Sequence, residues 1–181
     1  MQRRQPLPRL WLMTDERQGA DLWNALERLP RGAGIVFRHY GLPPVERRRL
    51  FARVRKVARR NGLFLIGGNG HFRGADGVHQ GGAQGGLQTT SAHNLAELRA
   101  AERRGAALVF ISPVFQTRSH PGARTLGRLR FGLLARQARI PVIALGGMDS
   151  RRWRSLGGLG AYGWAGIDAW GSDQKWKAVP I

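Results

Sequence analysis

Apolar residues along this chain gather into eight short blocks. Leu10-Trp11-Leu12-Met13-Thr14, Gly34 to His39, Leu63 to Ile66, Ala75 to His79, Leu87 to Thr90, Leu108 to Ile111, Pro141 to Leu145 and Tyr162 to Ile167 are runs rich in β-branched, aromatic and leucine residues. Such short runs, bounded by turn residues, predict strands, most of them buried on both faces. Between several of them the period changes to that of a helix. Residues 20–29 place Leu22, Ala25, Leu26 and Leu29 at helical spacing and close with Pro30 and Gly32. The strongest pattern runs from Pro44 to Asn61, with Val45, Phe51, Val54, Val57 and Ala58 on one face and seven arginines largely on the other. Asn61-Gly62 supplies its C-cap. Asn94, with Glu97 three residues later, predicts a capped helix running to Arg104 and stopped by Gly105. Further helices are expected around Leu129 to Ala138 and after a cap at Asp149 or Ser150.

Strands followed by helices imply parallel pairing through right-handed crossovers, and eight such units in one small domain point to a closed (β/α)8 TIM barrel. An open doubly wound sheet is the competitor. Barrels usually run to about 250 residues, whereas this chain has 181. The shortening falls after strands three and four, where the glycine-rich links Gly67-Gly68-Asn69-Gly70 and 80–86 leave no room for a normal helix. The expectation is a single compact barrel domain spanning residues 1–181, with helices shortened or missing there.

The charge widens the list of functions. The chain carries 30 Lys and Arg against 11 Asp and Glu, a formal net charge of +19, which attracts polyanions. Yet the arginines are spread over several helices, and no zinc finger, RNP word or basic tail accompanies them. A solvated arginine-rich surface is the preferred reading, and nucleic-acid binding the nonspecific rival. No cysteine is present, which excludes disulfides, thiolate metal sites and cysteine nucleophiles. No segment approaches the roughly 20 apolar residues of a membrane span, and the N-terminus is unconvincing as a signal peptide, so a cytoplasmic location is expected.

The most informative stretch is Leu108 to Gly122, a buried strand that delivers a polar loop containing Thr117, Arg118, Ser119 and His120. With Ile140-Pro141-Val142-Ile143-Ala144-Leu145-Gly146-Gly147-Met148 about twenty residues on, it resembles the sixth and seventh strand-loop units of the thiamine phosphate synthase/TenI family. The resemblance covers roughly residues 10–170. It includes Leu10-Trp11-Leu12-Met13-Thr14-Asp15, Ala75-Asp76-Gly77-Val78-His79 and Ser91-Ala92-His93. It implies a protein of thiamine biosynthesis that joins or binds an aminopyrimidine diphosphate and a thiazole phosphate at the barrel mouth. A non-catalytic ligand-binding or regulatory TenI-like protein and a polyanion-binding protein are the alternatives. A homo-oligomer is compatible with either barrel reading.

In a barrel, catalytic residues stand at the C-terminal ends of strands, which nominates Arg38, His79, Ser91, His93, Thr117, Ser119, His120, Gly146 and Gly147. Glycines before a helix start let backbone N–H groups approach an anion. Carried over by resemblance, Arg38, Ser91 and His120 are the candidate catalytic residues. His79, His93, Thr117, Arg118, Ser119, Gly146, Gly147, Ile167 and Asp168 are the candidate substrate and phosphate contacts. The family's Gln-Leu-Arg-x-Lys word reads Val36-Phe37-Arg38-His39-Tyr40 here, and His120 stands for its diphosphate-binding lysine. Its two magnesium aspartates are replaced within Gly67-Gly68-Asn69 and Gly81-Gly82-Ala83-Gln84, so no metal ligand is expected. All five histidines fall at or beyond strand ends, where imidazoles could bind metal or act as acid and base; the preferred reading is that polar residues simply belong there.

Overall fold

The computed structural model describes residues 6–81, 85–117, 122 and 124–170. Eight parallel strands follow one another around a closed barrel in chain order: β1 (Leu10–Met13), β2 (Gly34–Phe37), β3 (Phe64–Gly68), β4 (Gly77–His79), β5 (Leu87–Ala92), β6 (Leu108–Ile111), β7 (Val142–Ala144) and β8 (Gly163–Gly166). Closure rests on β1 pairing with β8, Trp11 opposite Ala165, and it rules out the open sheet. Among the described residues five α-helices intervene: α1 (Asp21–Arg28), α2 (Pro44–Asn61), α3 (Leu95–Arg103), α4 (Gly127–Gln137) and α5 (Ser150–Ser155). The β3–β4 link contains no helix, nor do the described residues of the β4–β5 link.

Alternation along the strands divides the apolar residues into two cores. Trp11, Met13, Val36, Ile66, Leu108, Phe110, Ile143 and Ala165 point inward and fill the barrel. Their neighbours Leu12, Ile35, Phe37, Leu65, Val109, Val142 and Trp164 point outward and pack under Leu22 and Leu26 of α1, Phe51 and Val54 of α2, Leu98 of α3 and Phe131 of α4. Because both faces are covered, the strands read as continuous apolar runs. Gly34 is required in β2, since a side chain there would run into the Trp11 indole.

The caps explain where the long helices start and stop. α2 ends at Gly62, in the left-handed conformation at φ +65°, and the N–H of Leu63 returns to the Ala58 carbonyl at 2.8 Å. α3 begins where the Asn94 side chain accepts the N–H of Glu97 at 2.9 Å. No described helix is long and apolar enough to cross a membrane.

Candidate active site at the strand C-termini

The loops after β6, β7 and β8 form a cavity of about 190 Å³ lined by Thr117, Gly146, Gly147, Arg152, Ile167 and Asp168, among others. Gly146 and Gly147 have φ of +96° and +60°. A Cβ at Gly146 would lie 2.7 Å from the Cα of Pro113, and one at Gly147 would strike the Gln116 carbonyl. Among the described residues, neither glycine N–H donates to a backbone carbonyl. Asp149 is the residue that caps α5, its carboxylate accepting the Arg152 N–H at 2.7 Å. The Arg152 guanidinium bonds the Gly147 carbonyl and lies over the Phe115 ring at 5.3 Å. The cavity thus combines two N–H groups without backbone acceptors and a fixed cation, a combination suited to an anion.

Arg152 escaped sequence reasoning because Arg151, Arg152 and Arg154 stand together, and nothing in the pattern says which one turns inward. Asp168 also lines this cavity. Its charge reaches Arg17 across the β1–β8 closure: the hydrogen-bonded Asp15 carboxylate raises the pKa of Arg17, and Asp168 adds to that effect. Arg17 grips Asp15 through two bonds, at 2.7 and 3.1 Å. Burial opposes ionisation of Asp15, but the bonds from Arg17 and the charge of Arg38 outweigh it and hold the carboxyl below its ordinary value.

A second cluster lies inside the mouth at β2, β4 and β5. The His79 Nδ1 is 2.9 Å from the Thr89 hydroxyl, and its Nε2 is 3.4 Å from that of Ser91. The ring meets Phe110 edge-on at 5.3 Å. Burial first, and then the nearby Arg38 charge, lowers the His79 pKa to about 4, so the imidazole is neutral and relays between two hydroxyls. Arg38 is aimed by Thr14, whose hydroxyl accepts the Arg38 N–H at 2.9 Å and lies 3.0 Å from the His39 Nδ1. Thr89, buried at the centre of this cluster, carried no distinguishing signal in the sequence.

The remaining candidates are placed apart or lie outside the described residues. His93 is exposed, its Nδ1 2.7 Å from Glu97. The Glu97 carboxylate accepts the His93 N–H rather than that of the cap residue Asn94. His39 stacks on Phe37 in the outer layer, and His71 is exposed. Among the described residues no three His, Asp or Glu side chains converge on a common point. Arg118, Ser119 and His120 lie outside the described residues.

His79 gives a prediction. A histidine held at about pKa 4 in the fold against 6.5 when unfolded binds fewer protons in the folded state throughout that interval. Its stabilising effect is complete above pH 6.5 and is lost as pH falls towards 4. Urea unfolding at pH 7 and pH 5 is expected to show lower stability at pH 5, and His79→Gln to have a smaller difference. An equal difference in the variant would refute the assignment.

The family model described as thiamine monophosphate synthase (TMP-TENI) matches residues 10–170. The chain belongs to this family. A relative from Aquifex aeolicus (strain VF5), named "Putative thiamine-phosphate synthase 2", is 33% identical over 89% of this chain and 96% of its own length. The solved thiamine phosphate pyrophosphorylase from Pyrococcus furiosus superposes with a TM-score of 0.74 at 23% identity, covering 93% of this chain and 89% of that one. That from Bacteroides thetaiotaomicron gives 0.62 at 17% identity, covering 89% and 83%. These two likenesses establish the barrel fold. Both clusters lie where strand C-termini meet the loops, the face on which barrel chemistry is carried out.

Proposed function

We propose that this chain is a thiamine phosphate synthase-like protein that binds a thiazole phosphate in the Gly146-Gly147 cup and an aminopyrimidine diphosphate over Arg38, His79 and Ser91. The observation that carries the reading is the cup itself: glycine backbone that admits no side chain, two N–H groups without backbone acceptors among the described residues, and the Arg152 guanidinium beside them. The chemistry of the family joins the two substrates as the thiazole nitrogen attacks the pyrimidine methylene carbon and diphosphate leaves. In this reading Arg152 and the glycine N–H groups hold the thiazole phosphate, while Arg38 faces the leaving group. Neutral His79 orients Ser91 towards the same ligand. A thermal-shift screen tests the reading, since a true ligand raises the melting temperature by mass action. Thiazole phosphate is expected to stabilise the protein in a saturable way, and no shift with either substrate would refute it.

Magnesium supplies leaving-group stabilisation in the family, and the residues present do not fit it. Support comes from Gly68, within the stretch Gly67-Gly68-Asn69 that the resemblance sets against one of the metal carboxylates. A Cβ there would run into the Tyr40 hydroxyl and approach the Phe37 carbonyl to 2.9 Å. We therefore derive no step through a metal. Synthase turnover is expected to be very low and unchanged by magnesium in a coupled assay of thiamine phosphate formation. Robust magnesium-dependent turnover would contradict this.

Asp168 is a brake on anion binding in this reading. At a few ångströms, a carboxylate and a phosphate repel by an amount on the order of a few kcal/mol at an effective dielectric near 20. Arg17 offsets part of that. Asp168→Ser removes that repulsion and is expected to tighten thiazole phosphate binding several-fold. Unchanged affinity would remove Asp168 from the site.

A further inference from the structure

The ladder that closes the barrel pairs Leu10 of β1 with Trp164 of β8, Trp11 with Ala165 and Leu12 with Gly166, and ends there. One residue further on, Ile167 enters the wall of the glycine cup. Among the described residues its carbonyl accepts from no backbone N–H. A side chain takes over from the ladder: the Gln18 amide donates through Nε2 to the Ile167 carbonyl at 2.8 Å, although the two residues are 149 positions apart in the chain. Gln18 does not itself line the cavity.

Gln18 can hold that carbonyl because it is held itself. It closes a 3₁₀ turn, Glu16–Gln18, as the last member of a capping box. Its Oε1 accepts the Asp15 N–H at 2.9 Å, while the Asp15 carboxylate accepts the Arg17 N–H at 3.1 Å. Acceptor and donor of one planar amide are thus both engaged, which leaves its orientation no freedom. The turn is tied to the β2 loop as well, where the Glu16 carboxylate accepts the Gly41 N–H at 2.6 Å.

We propose that Gln18 is a positioning residue for the phosphate cup: by drawing the Ile167 carbonyl towards β1, it fixes the plane of the Ile167–Asp168 peptide that walls the β8 side. The proposal rests on the reading above that a phosphate lies in this cup. The Ile167–Asp168 bond is trans, so its C=O and N–H point in opposite directions. With the carbonyl turned to β1, the Asp168 N–H is turned to the β7 side, where Gly146 and Gly147 stand. A peptide released from Gln18 can rotate, and a carbonyl oxygen rotated into the cup presents its negative end to an anion. Gln18 therefore adds no contact with the ligand. It keeps an acceptor out of the cup before the ligand arrives, which lowers the ordering cost of binding.

Calorimetric titration with thiazole phosphate compares the wild-type protein with two variants. Gln18→Met keeps the length of the side chain and loses both bonds, whereas Gln18→Glu keeps the acceptor for the Asp15 N–H and loses the donor to Ile167. Both are expected to bind about tenfold more weakly. In amide NMR spectra of Gln18→Met at saturating ligand, the Gly146 and Gly147 peaks are expected to move as in wild type and the Asp168 peak to move much less. Wild-type affinity in Gln18→Glu would reduce Gln18 to a cap of its own turn, and affinity within twofold of wild type in Gln18→Met would separate it from the cup; either overturns the proposal. An Asp168 peak that moves equally in variant and wild type does the same. Should Gln18→Met fail to fold, Gln18→Glu, which keeps the capping bond, carries both the titration and the spectra. These outcomes leave the cup in place, whereas wild-type protein that takes no thiazole phosphate overturns the functional reading as well.

Discussion

Valine in place of Gly147 is expected to abolish thiazole phosphate binding, with an affinity loss of about 100-fold or more. At φ +60° a β-branched residue is in a conformation it strongly resists. Its Cβ would in addition collide with the Gln116 carbonyl. Relief requires the β7–α5 turn to move away from the β6 loop, and that movement withdraws the two N–H groups and the Arg152 contact on Gly147 together. The cost in global stability is expected to be smaller, of order 1–3 kcal/mol, because the turn is at the surface of the barrel mouth. Calorimetry for binding and urea unfolding for stability separate the two effects. Affinity within a few-fold of wild type would mean that the cup is elsewhere.

The largest effect on stability is expected at Trp11, which is fully buried in the barrel interior. Its ring meets Phe110 edge-on at 5.4 Å and fills the space that Gly34 leaves open. Its indole N–H donates to the Pro8 carbonyl at 2.8 Å. Trp11→Ala leaves a cavity that the rigid ring of strands cannot collapse into, so a cost of about 3–5 kcal/mol is expected. That is a large share of the roughly 5–15 kcal/mol that stabilises a typical domain. Trp11→Phe should cost clearly less. A urea-unfolding difference below about 1 kcal/mol for the alanine variant would show that Trp11 does not anchor the interior.

The barrel was legible because its strands are covered on both faces, which turns each into an unbroken apolar run such as Leu108-Val109-Phe110-Ile111, and because caps at Asn94 and Gly62 mark where helices begin and end. The β3–β4 and β4–β5 links announced their shortness through glycine. At the barrel mouth, Gly146-Gly147, Arg38, His79 and Ser91 stood out as candidates because each sits at a strand end. What was illegible depends on distances in space rather than on spacing along the chain. His93 turns to Glu97 because a carboxylate one helical turn on competes for it. Tyr40 reaches Gly68, and Asp168 acts on Arg17, only once the barrel closes. Thr89 and Arg152 have the composition of ordinary strand and surface residues, and only their neighbours give them a role.

The central claim is that this family member holds a phosphorylated thiazole at the ends of β7 and β8. Backbone amide chemical shifts, followed by NMR as thiazole phosphate is added, test it most directly. The account predicts that the largest shifts fall on Gly146, Gly147 and their neighbours around Arg152 and Asp168, with saturation at one ligand per chain. Shifts confined to the arginine-rich outer face of α2, or non-saturating shifts spread over the surface, would contradict it and favour a general attraction of polyanions to the +19 charge.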